Sequence, residues 1–240
     1  TNKPGNRSVS CSQLKRQGHN DTRVYEIYIL GKPINVTCDM TSEDGGGWTV
    51  IQSRSENEEG ENFFERNDTE YERGFGTAGK SFWIGLENLL ALMSFPNSKQ
   101  SLRIELRRAG GRPETKVVHY KIFHVGSKEQ NYKLTIGEYN GPDRYDALFD
   151  HNGHEFSVKN SSTANPDKDK CAHQRLSGGW WFKPCNSANL NGFKVRLFLQ
   201  KNPLAITWNL KSDTEAYHYT YDKVEMKIRD ADFGFCTGSL

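Results

Sequence analysis

The sequence lacks any long apolar run and any strong excess of one charge. No stretch approaches the ~18 consecutive apolar residues that a membrane-spanning helix needs, so we expect no membrane insertion. The 32 basic and 30 acidic side chains leave a formal net charge of +2, and like charges do not form blocks. Nucleic acid and anionic membrane surfaces are therefore not expected as partners.

Catalytic motifs in their required structural context are absent as well. The sequence contains no G-x-S-x-G or H-E-x-x-H pattern. Residues 74–81, GFGTAGKS, match the letters of G-x-x-x-x-G-K-S/T and of G-x-G-x-x-G, but no predicted strand directly precedes them and no predicted helix directly follows them, as a phosphate site requires. His151 and His154 are three positions apart, but Asp150 and Gly153 beside them indicate a solvated turn rather than a zinc site. Gly45–Gly47 precedes a tryptophan and a strand, which favours a tight turn over a phosphate cradle. We therefore expect no enzymatic activity.

The cysteines and the glycosylation motifs indicate an oxidising compartment. Five cysteines are present, without a C-x-x-C pair, at Cys11, Cys38, Cys171, Cys185 and Cys236. The simplest arrangement of five cysteines is two disulfides and one cysteine left over. Five N-x-S/T sequons are candidates for glycosylation, at Asn6, Asn20, Asn35, Asn67 and Asn160. Together these features predict a secreted, extracellular protein.

Local periodicity predicts an α+β fold with a dominant antiparallel sheet. Apolar and polar residues alternate, as in half-buried strands, over 102–107, 132–136 and 224–228. Apolar residues at helical spacing predict one short amphipathic helix between residues 86 and 93. Residues 140–203 are instead rich in Gly, Asn, Asp, Ser and Pro. Because loops on a rigid sheet commonly carry binding residues, this loop-rich region is the candidate binding site.

Several short motifs follow one another in a fixed order. They are Cys38-Asp39-Met40, Gly45–Gln52, Gly74-Phe75-Gly76, Phe82–Asn88, His151-Asn152-Gly153, Gly179–Phe182, Asn189–Gly192 and Glu225–Arg229. In these motifs the chain resembles the fibrinogen-like domain of fibrinogen chains, ficolins, tachylectins, angiopoietins and tenascins. The resemblance implies a fibrinogen C-terminal-like fold: a central antiparallel sheet with short helices, and a loop-rich C-terminal subdomain that carries the ligand site.

The resemblance also implies domain boundaries and disulfides. The expected segments are a tail at 1–10, one domain at 11–229 with approximate subdomains 11–47, 48–139 and 140–229, and a tail at 230–240 that contains Cys236. Cys11 pairs with Cys38 and Cys171 with Cys185, and loops of this size give each disulfide a stabilising effect of ~3 kcal/mol. Cys236 is left over. We therefore expect an oligomer, linked through Cys236 or through upstream sequence.

The calcium-binding segment departs from the family pattern. Relatives place two aspartates of a D-x-D-N-D stretch here, and calcium needs such oxygen ligands. Neither way of aligning this chain puts a carboxylate at those two positions. Asp167 and Asp169 form a displaced D-x-D pair, with lysines between and after them. Two alternatives remain: calcium binding is lost, or Asp167 and Asp169 rebuild the site.

The acetyl-sugar pocket of the sugar-binding relatives is also altered. Polar residues replace its aromatic lining, namely Gln174, Arg175, Asn186 and Asn202. Such a pocket suits a ligand that bears carboxylate or sulfate, unless Arg175 simply pairs with a surface acid. Trp180 and Trp181 form either a stacking platform for a ligand or the core of the loop-rich region. Trp180 is accordingly a further candidate ligand-binding residue.

Two binding functions follow from these patterns. The first is lectin-like recognition of glycans, in innate immunity or at cell surfaces. The second is binding of a receptor, adhesion or matrix protein by a domain that has lost acetyl-sugar and calcium binding. Tyr217, Tyr219 and Tyr221 alternate, and they either anchor such a protein or cover the core. The expected partner is thus a glycan or a cell-surface or matrix protein.

Overall fold

The computed structural model describes residues 7–60, 62–94, 97, 99–109, 113–158, 176–183, 186–194, 204–210 and 220–236. The α-helices are α1 (Cys11–Arg16), α2 (Asp68–Arg73), α3 (Leu86–Leu92) and α4 (Phe233–Cys236), and 3-10 helices span Lys128–Gln130 and Phe149–His151. The strands are β1 (Arg23–Ile29), β2 (Lys32–Asp39), β3 (Trp48–Arg54), β4 (Phe75–Gly76), β5 (Phe82–Trp83), β6 (Gln100–Arg108), β7 (Glu114–Val125), β8 (Leu134–Asn140), β9 (Ser157–Val158), β10 (Gly179–Trp180), β11 (Ala188–Asn189), β12 (Thr207–Trp208) and β13 (Lys223–Asp230). None of the described helices is long and apolar enough to cross a membrane.

One nine-stranded antiparallel sheet dominates the structure, which confirms the predicted α+β class. Its main path runs β1-β2-β3-β13-β6-β7-β8, and β5 and β4 are added beside β3. The last strand of the chain thus lies at the centre, between β3 and β6. Val224, Met226 and Ile228 of β13 are buried, because alternate residues of a strand face the same side. The sheet is therefore complete only when the two ends of the chain come together.

The predicted strands and helix are present, with one boundary shifted. Alternation at 102–107 and 224–228 falls within β6 and β13, and the helical pattern falls on α3. The third strand was expected from residue 132, but β8 begins at Leu134. Asn131 and Tyr132 instead adopt left-handed backbone conformations, with φ of 47° and 51°, at the end of a 3-10 turn.

Both ends of the described chain are tied to the sheet. Ser8 O accepts a 2.8 Å hydrogen bond from Tyr28 N, and Cys11 forms a disulfide with Cys38, which confirms that predicted pairing. At the other end, Asp230 still belongs to β13 and accepts a hydrogen bond from Gln100 at 2.9 Å. Ser8 and Asp230 thus take part in the hydrogen-bonded structure, and the domain bounds 11–229 stay a prediction.

The three glycines before β3 close and follow a tight turn, in which Gly45 N donates to Ser42 O at 3.0 Å, and all three have positive φ. A Cβ atom on Gly46 would lie 2.3 Å from Met40 O, and the φ of Gly46 is +69°. Only glycine fits this close approach in that conformation. The turn leads into Trp48, whose indole nitrogen donates to Asp44 at 2.9 Å.

A buried ammonium group organises the charged residues of the central strands. Lys227 Nζ lies 2.9 Å from Asp39, 3.0 Å from Glu105 and 3.1 Å from Glu225, and only 5% of its side chain is exposed. Burial alone would raise the pKa of Asp39, but hydrogen bonds from Ser42 and the charge of Lys227 lower it to about 2. Asp39 therefore stabilises the fold above its ordinary pKa of 3.8, and this contribution is lost as the pH falls towards 2.

Replacing Lys227 with methionine should destabilise the domain by about 3–5 kcal/mol, because three carboxylates would be left around an uncharged side chain. Urea unfolding at neutral pH measures this change. Lys223→Met is the matched control, since Lys223 lies 3.8 Å from Glu225 with 45% of its side chain exposed. We expect it to change stability by less than about 1 kcal/mol. Equal unfolding midpoints for the two variants would contradict this account.

Candidate functional site

The paired tryptophans lie in the core of the loop-rich region. Trp180 and Trp181 have no exposed surface, and their ring centroids are 5.2 Å apart. Trp181 also packs edge-on against Phe156 at 5.3 Å, and its indole nitrogen donates to Tyr132 O at 2.8 Å. This agrees with the core alternative. A ligand would contact Trp180 only if the surrounding loops moved.

Trp180 differs from Trp181 in its hydrogen bonding. Its Nε1 is buried and has no acceptor among the described residues. Its backbone pairs with Ser157, which joins β10 to β9. Trp180 therefore remains a predicted ligand-binding residue, with a donor that the described protein groups leave unused.

His151 is buried, so its assignment to a solvated turn is wrong. Its Nδ1 lies 2.8 Å from Trp181 O, while Nε2 lies 2.9 Å from Ala188 N and 3.2 Å from Ser187 N. A carbonyl only accepts and a backbone N–H only donates, so Nδ1 carries the proton and Nε2 accepts. Burial lowers the pKa of His151 to about 4. The neutral imidazole ties three loop segments together.

Two asparagines continue this pattern of buried side chains bonded to loop backbone. Asn189 Nδ2 donates to Ser177 O at 3.0 Å, and Asn191 Nδ2 donates to Gly179 O at 2.8 Å. Gln52 of β3 then donates to Asn191 Oδ1 at 3.0 Å, which connects the loop to the sheet. In the sequence this segment is recognisable only as a family motif. Its turn-forming composition was the available signal for such a role.

The predicted polar pocket is only partly within the described residues. Asn186 is buried, and its Oδ1 accepts a 3.0 Å hydrogen bond from Lys183 N, which stabilises the turn. The other predicted positions lie outside the described residues: Gln174, Arg175, Asn202, Asp167, Asp169, Cys171, Cys185, Asn6, Asn160, Tyr217 and Tyr219. Tyr221 is buried, 3.3 Å from the Tyr145 hydroxyl, and thus covers the core. The described residues bring no three His, Cys, Asp or Glu side chains into a metal-binding group.

An exposed phenylalanine lies beside His151 and was missed by sequence analysis. Phe149 is 67% exposed, although most aromatic side chains of this chain are buried. Asp150 lies 3.4 Å from Lys183 and 3.3 Å from the Ser187 hydroxyl. We call Phe149, Asp150, Lys183 and Ser187 the Phe149 face. The exposure of Phe149 depends on tertiary packing, so no local sequence pattern indicated it.

Three predicted glycosylation sites fall in the described chain. Asn20, Asn35 and Asn67 are all exposed. Asn67 caps α2, since its Oδ1 accepts the backbone N–H of Glu70 at 2.9 Å. A glycan would attach to the other side-chain atom, Nδ2, so occupancy at Asn67 is compatible with the cap.

The family is settled by comparison with known sequences. The family model of the C-terminal globular domain of fibrinogen beta and gamma chains matches residues 7–231. The chain belongs to the fibrinogen C-terminal domain family. This confirms the resemblance in its motifs and makes the chain a fibrinogen-like ligand-binding domain.

Individual relatives include both angiopoietin-type proteins and a lectin. The chain is 39% identical to mouse angiopoietin-4 over 195 residues, which cover 80% of the chain and 36% of that protein. It is 33% identical to Techylectin-5A of Tachypleus tridentatus, with 94% of the chain and 75% of the relative covered. Human angiopoietin-related protein 7 is 35% identical, with coverage of 93% and 62%. This fibrinogen-like domain therefore spans from about a third to three quarters of these relatives.

Solved structures agree with the fold. The fibrinogen-like globe domain of human ANGPTL6 matches with a TM-score of 0.78 and 31% identity, over 95% of this chain and 98% of that one. Lamprey fibrin D-dimer, complexed with the peptide Gly-His-Arg-Pro-amide, matches with a TM-score of 0.77 and 26% identity. That match covers 93% of this chain and 74% of the lamprey chain.

The buried His151 predicts a loss of stability in mild acid. The unfolded chain binds this proton near the ordinary pKa of 6.5, but the folded domain binds it only near 4. Stability is therefore complete above pH 6.5 and falls by up to about 3 kcal/mol as the pH approaches 4. In His151→Gln, this part of the pH dependence should disappear. Urea unfolding at several pH values measures the difference from the unmodified domain.

His154→Gln is the control, because His154 is only partly buried and makes no comparable set of hydrogen bonds among the described residues. It should retain most of the acid-induced loss. The account fails if His151→Gln and the unmodified domain lose stability in parallel.

Proposed function

We propose that this fibrinogen-like domain is an extracellular recognition module that binds a protein partner through the Phe149 face. The observation that carries the proposal is the exposure of Phe149. Among the described residues, the large exposed hydrophobic side chains are Val24, Leu30, Ile122 and Phe149, and only Phe149 is aromatic. Aromatic anchors surrounded by polar groups are typical of the residues that dominate protein interfaces.

The backbone beneath Phe149 is fixed before any partner binds. Asp146 Oδ1 accepts a 2.9 Å hydrogen bond from Phe149 N and a 2.5 Å hydrogen bond from the Tyr120 hydroxyl. His151, two residues further on, is fixed by its three hydrogen bonds to loop backbone. An anchor on a rigid support loses little conformational entropy on binding, which favours affinity.

Charged groups flank the anchor and favour a protein as the partner. The Asp150 and Lys183 side chains are 21% and 16% exposed, so both approach the surface. Asp150, the residue after Phe149, thus brings both signs of charge and the Ser187 hydroxyl together next to the anchor in the chain. Such a rim supports orientation and partner choice more than affinity.

Glycan recognition remains the second candidate because one relative, Techylectin-5A, is by its name a lectin. The described part of the predicted sugar site supports it less, since Trp180 and Asn186 are both buried. Lamprey fibrin, by contrast, has a peptide ligand in its solved structure. The balance of support therefore favours a protein partner.

Two features support the extracellular setting of the proposal. The Cys11–Cys38 disulfide needs an oxidising compartment to form and persist. The sequons at Asn20, Asn35 and Asn67 are accessible to glycosylation. The multivalent or covalently linked assembly expected from Cys236 stays a prediction, and Cys236 is the last residue of α4.

The test is a binding screen of the domain against an array of receptor ectodomains, each presented with and without enzymatic deglycosylation. We expect binding that survives deglycosylation. Phe149→Ala should weaken it by about 2 kcal/mol or more, roughly 30-fold, because the central anchor is removed. Leu30→Ala is the matched control: Leu30 is 71% exposed, in the β1–β2 turn at the opposite edge of the sheet.

Binding that disappears on deglycosylation would replace the protein partner with a glycan. Equal effects of Phe149→Ala and Leu30→Ala would show that the Phe149 face is not the binding surface.

A further inference from the structure

Three asparagines of the chain are each followed by a glycine: Asn140, Asn152 and Asn191. In such a pair the glycine amide nitrogen reaches the asparagine side-chain carbonyl easily, because glycine carries no Cβ atom that hinders the approach. The hydrogen bonds around the three pairs differ, and they leave only the first pair free to react. We propose that Asn140 is a site of spontaneous deamidation, a covalent modification beyond the binding function of the domain.

The reaction needs only the chain and water. Gly141 N loses its proton to the solvent and attacks Cγ of Asn140, and the new C–N bond closes a succinimide ring. The bond between Cγ and Nδ2 of Asn140 breaks, and this nitrogen takes up protons from water and leaves as ammonia. Water then adds to one or the other ring carbonyl and opens the ring, which leaves aspartate or isoaspartate at position 140. No oxidant or reductant takes part.

Both reacting groups of the first pair are accessible. Asn140 is exposed and is the last residue of β8, where its pairing with His119 of β7 ends the ladder. None of the described residues forms a hydrogen bond with its side-chain amide, and Gly141 N has no acceptor among them. Gly141 is exposed too and lies outside the strand. Because the end of a strand opens more easily than its centre, the chain can reach the geometry of the attack here.

The second pair is exposed but is held by the sheet. Gly153 N donates to Leu134 O at 2.8 Å, and Asn152 Oδ1 accepts a 2.9 Å hydrogen bond from Ile136 N. Both hydrogen bonds must break before Gly153 N can attack Asn152 Cγ. This requirement should slow the reaction at Asn152 roughly tenfold or more.

The third pair is fixed in the core. Asn191 is fully buried, its Nδ2 donates to Gly179 O at 2.8 Å, and its Oδ1 accepts from Gln52 Nε2 at 3.0 Å. A Cβ atom on Gly192 would lie 2.3 Å from Ala205 O, so the backbone has no room to rotate at this glycine. Asn191 should therefore not react while the domain is folded.

The products would alter the segment that leads to Phe149. Residues 141–145 connect Asn140 to Asp146, whose Oδ1 accepts a 2.9 Å hydrogen bond from Phe149 N. Aspartate adds a negative charge at position 140. Isoaspartate also lengthens the main chain by one methylene group, because the chain then passes through the former side chain. The lengthened segment must take a different path between β8 and Asp146.

The test is prolonged incubation of the full 240-residue chain at body temperature, at neutral and at mildly alkaline pH, followed by peptide mapping with mass spectrometry. We expect aspartate and isoaspartate to form at Asn140 roughly tenfold or more faster than at Asn152, with Asn191 unchanged. The rate should rise with pH, because Gly141 N must lose a proton. A synthetic peptide of residues 137–143 serves as the reference for the unhindered reaction.

Asn140→Gln should abolish the gain of negative charge seen by ion-exchange chromatography, because the longer side chain closes a less favourable ring. Asn152→Gln is the matched control and should gain charge as the unmodified chain does. The proposal is overturned if Asn140 stays intact while the reference peptide reacts, if Asn152 or Asn191 reacts first, or if Asn140→Gln gains charge normally.

The isoaspartate form, once purified, should show shifted backbone amide signals over residues 141–149 in NMR spectra. Unchanged signals there would overturn the expected effect on the segment that leads to Phe149. Both measurements are made without a binding partner, so failure of the receptor screen alone leaves their outcome intact.

Discussion

The arrangement of this domain depends on one buried guanidinium. Arg54, at the end of β3, donates to Glu58 in the following loop and to Leu190 O and Gly192 O in the loop-rich region, at 3.1 and 2.6 Å. Its guanidinium carbon also lies 4.0 Å from the centre of the Phe64 ring. Because a buried charge needs partners for its donors, the surrounding loops cannot move independently of the sheet. The loop after β3 and the C-terminal loops are thus held by the same side chain.

Buried polar side chains take the place of regular structure in the C-terminal part. The described strands there, β9 to β12, have only two residues each, so backbone pairing alone satisfies few of the buried N–H and C=O groups. His151, Asn189 and Asn191 supply the missing partners. Each such hydrogen bond stabilises the fold only while both partners are present, since the loss of one partner leaves a buried polar group without a hydrogen bond. This explains why the loops are ordered enough to carry an exposed anchor.

The sequence predicted what depends on local periodicity and on motifs. The alternation of apolar and polar residues predicted β6 and β13, and the order of the short motifs indicated the family. Both signals are visible in the sequence because strand patterns and turn glycines depend on residues that are close together in the chain. His151 was assigned to solvent because Asp150 and Gly153 are turn residues. Its hydrogen-bond partners belong to Trp181, Ser187 and Ala188, thirty or more positions later, which no local pattern reveals.

The central sheet itself offers little for recognition. Lys227 forms ion pairs with three carboxylates of the protein itself. A ligand that binds to these charges would have to displace an existing ion pair. The proposed recognition surface lies instead outside the sheet, at Phe149. The support beside it is the buried, hydrogen-bonded His151, while the Phe149 side chain is exposed. Rigid support with an uncommitted surface allows family members to change ligand while they keep the fold.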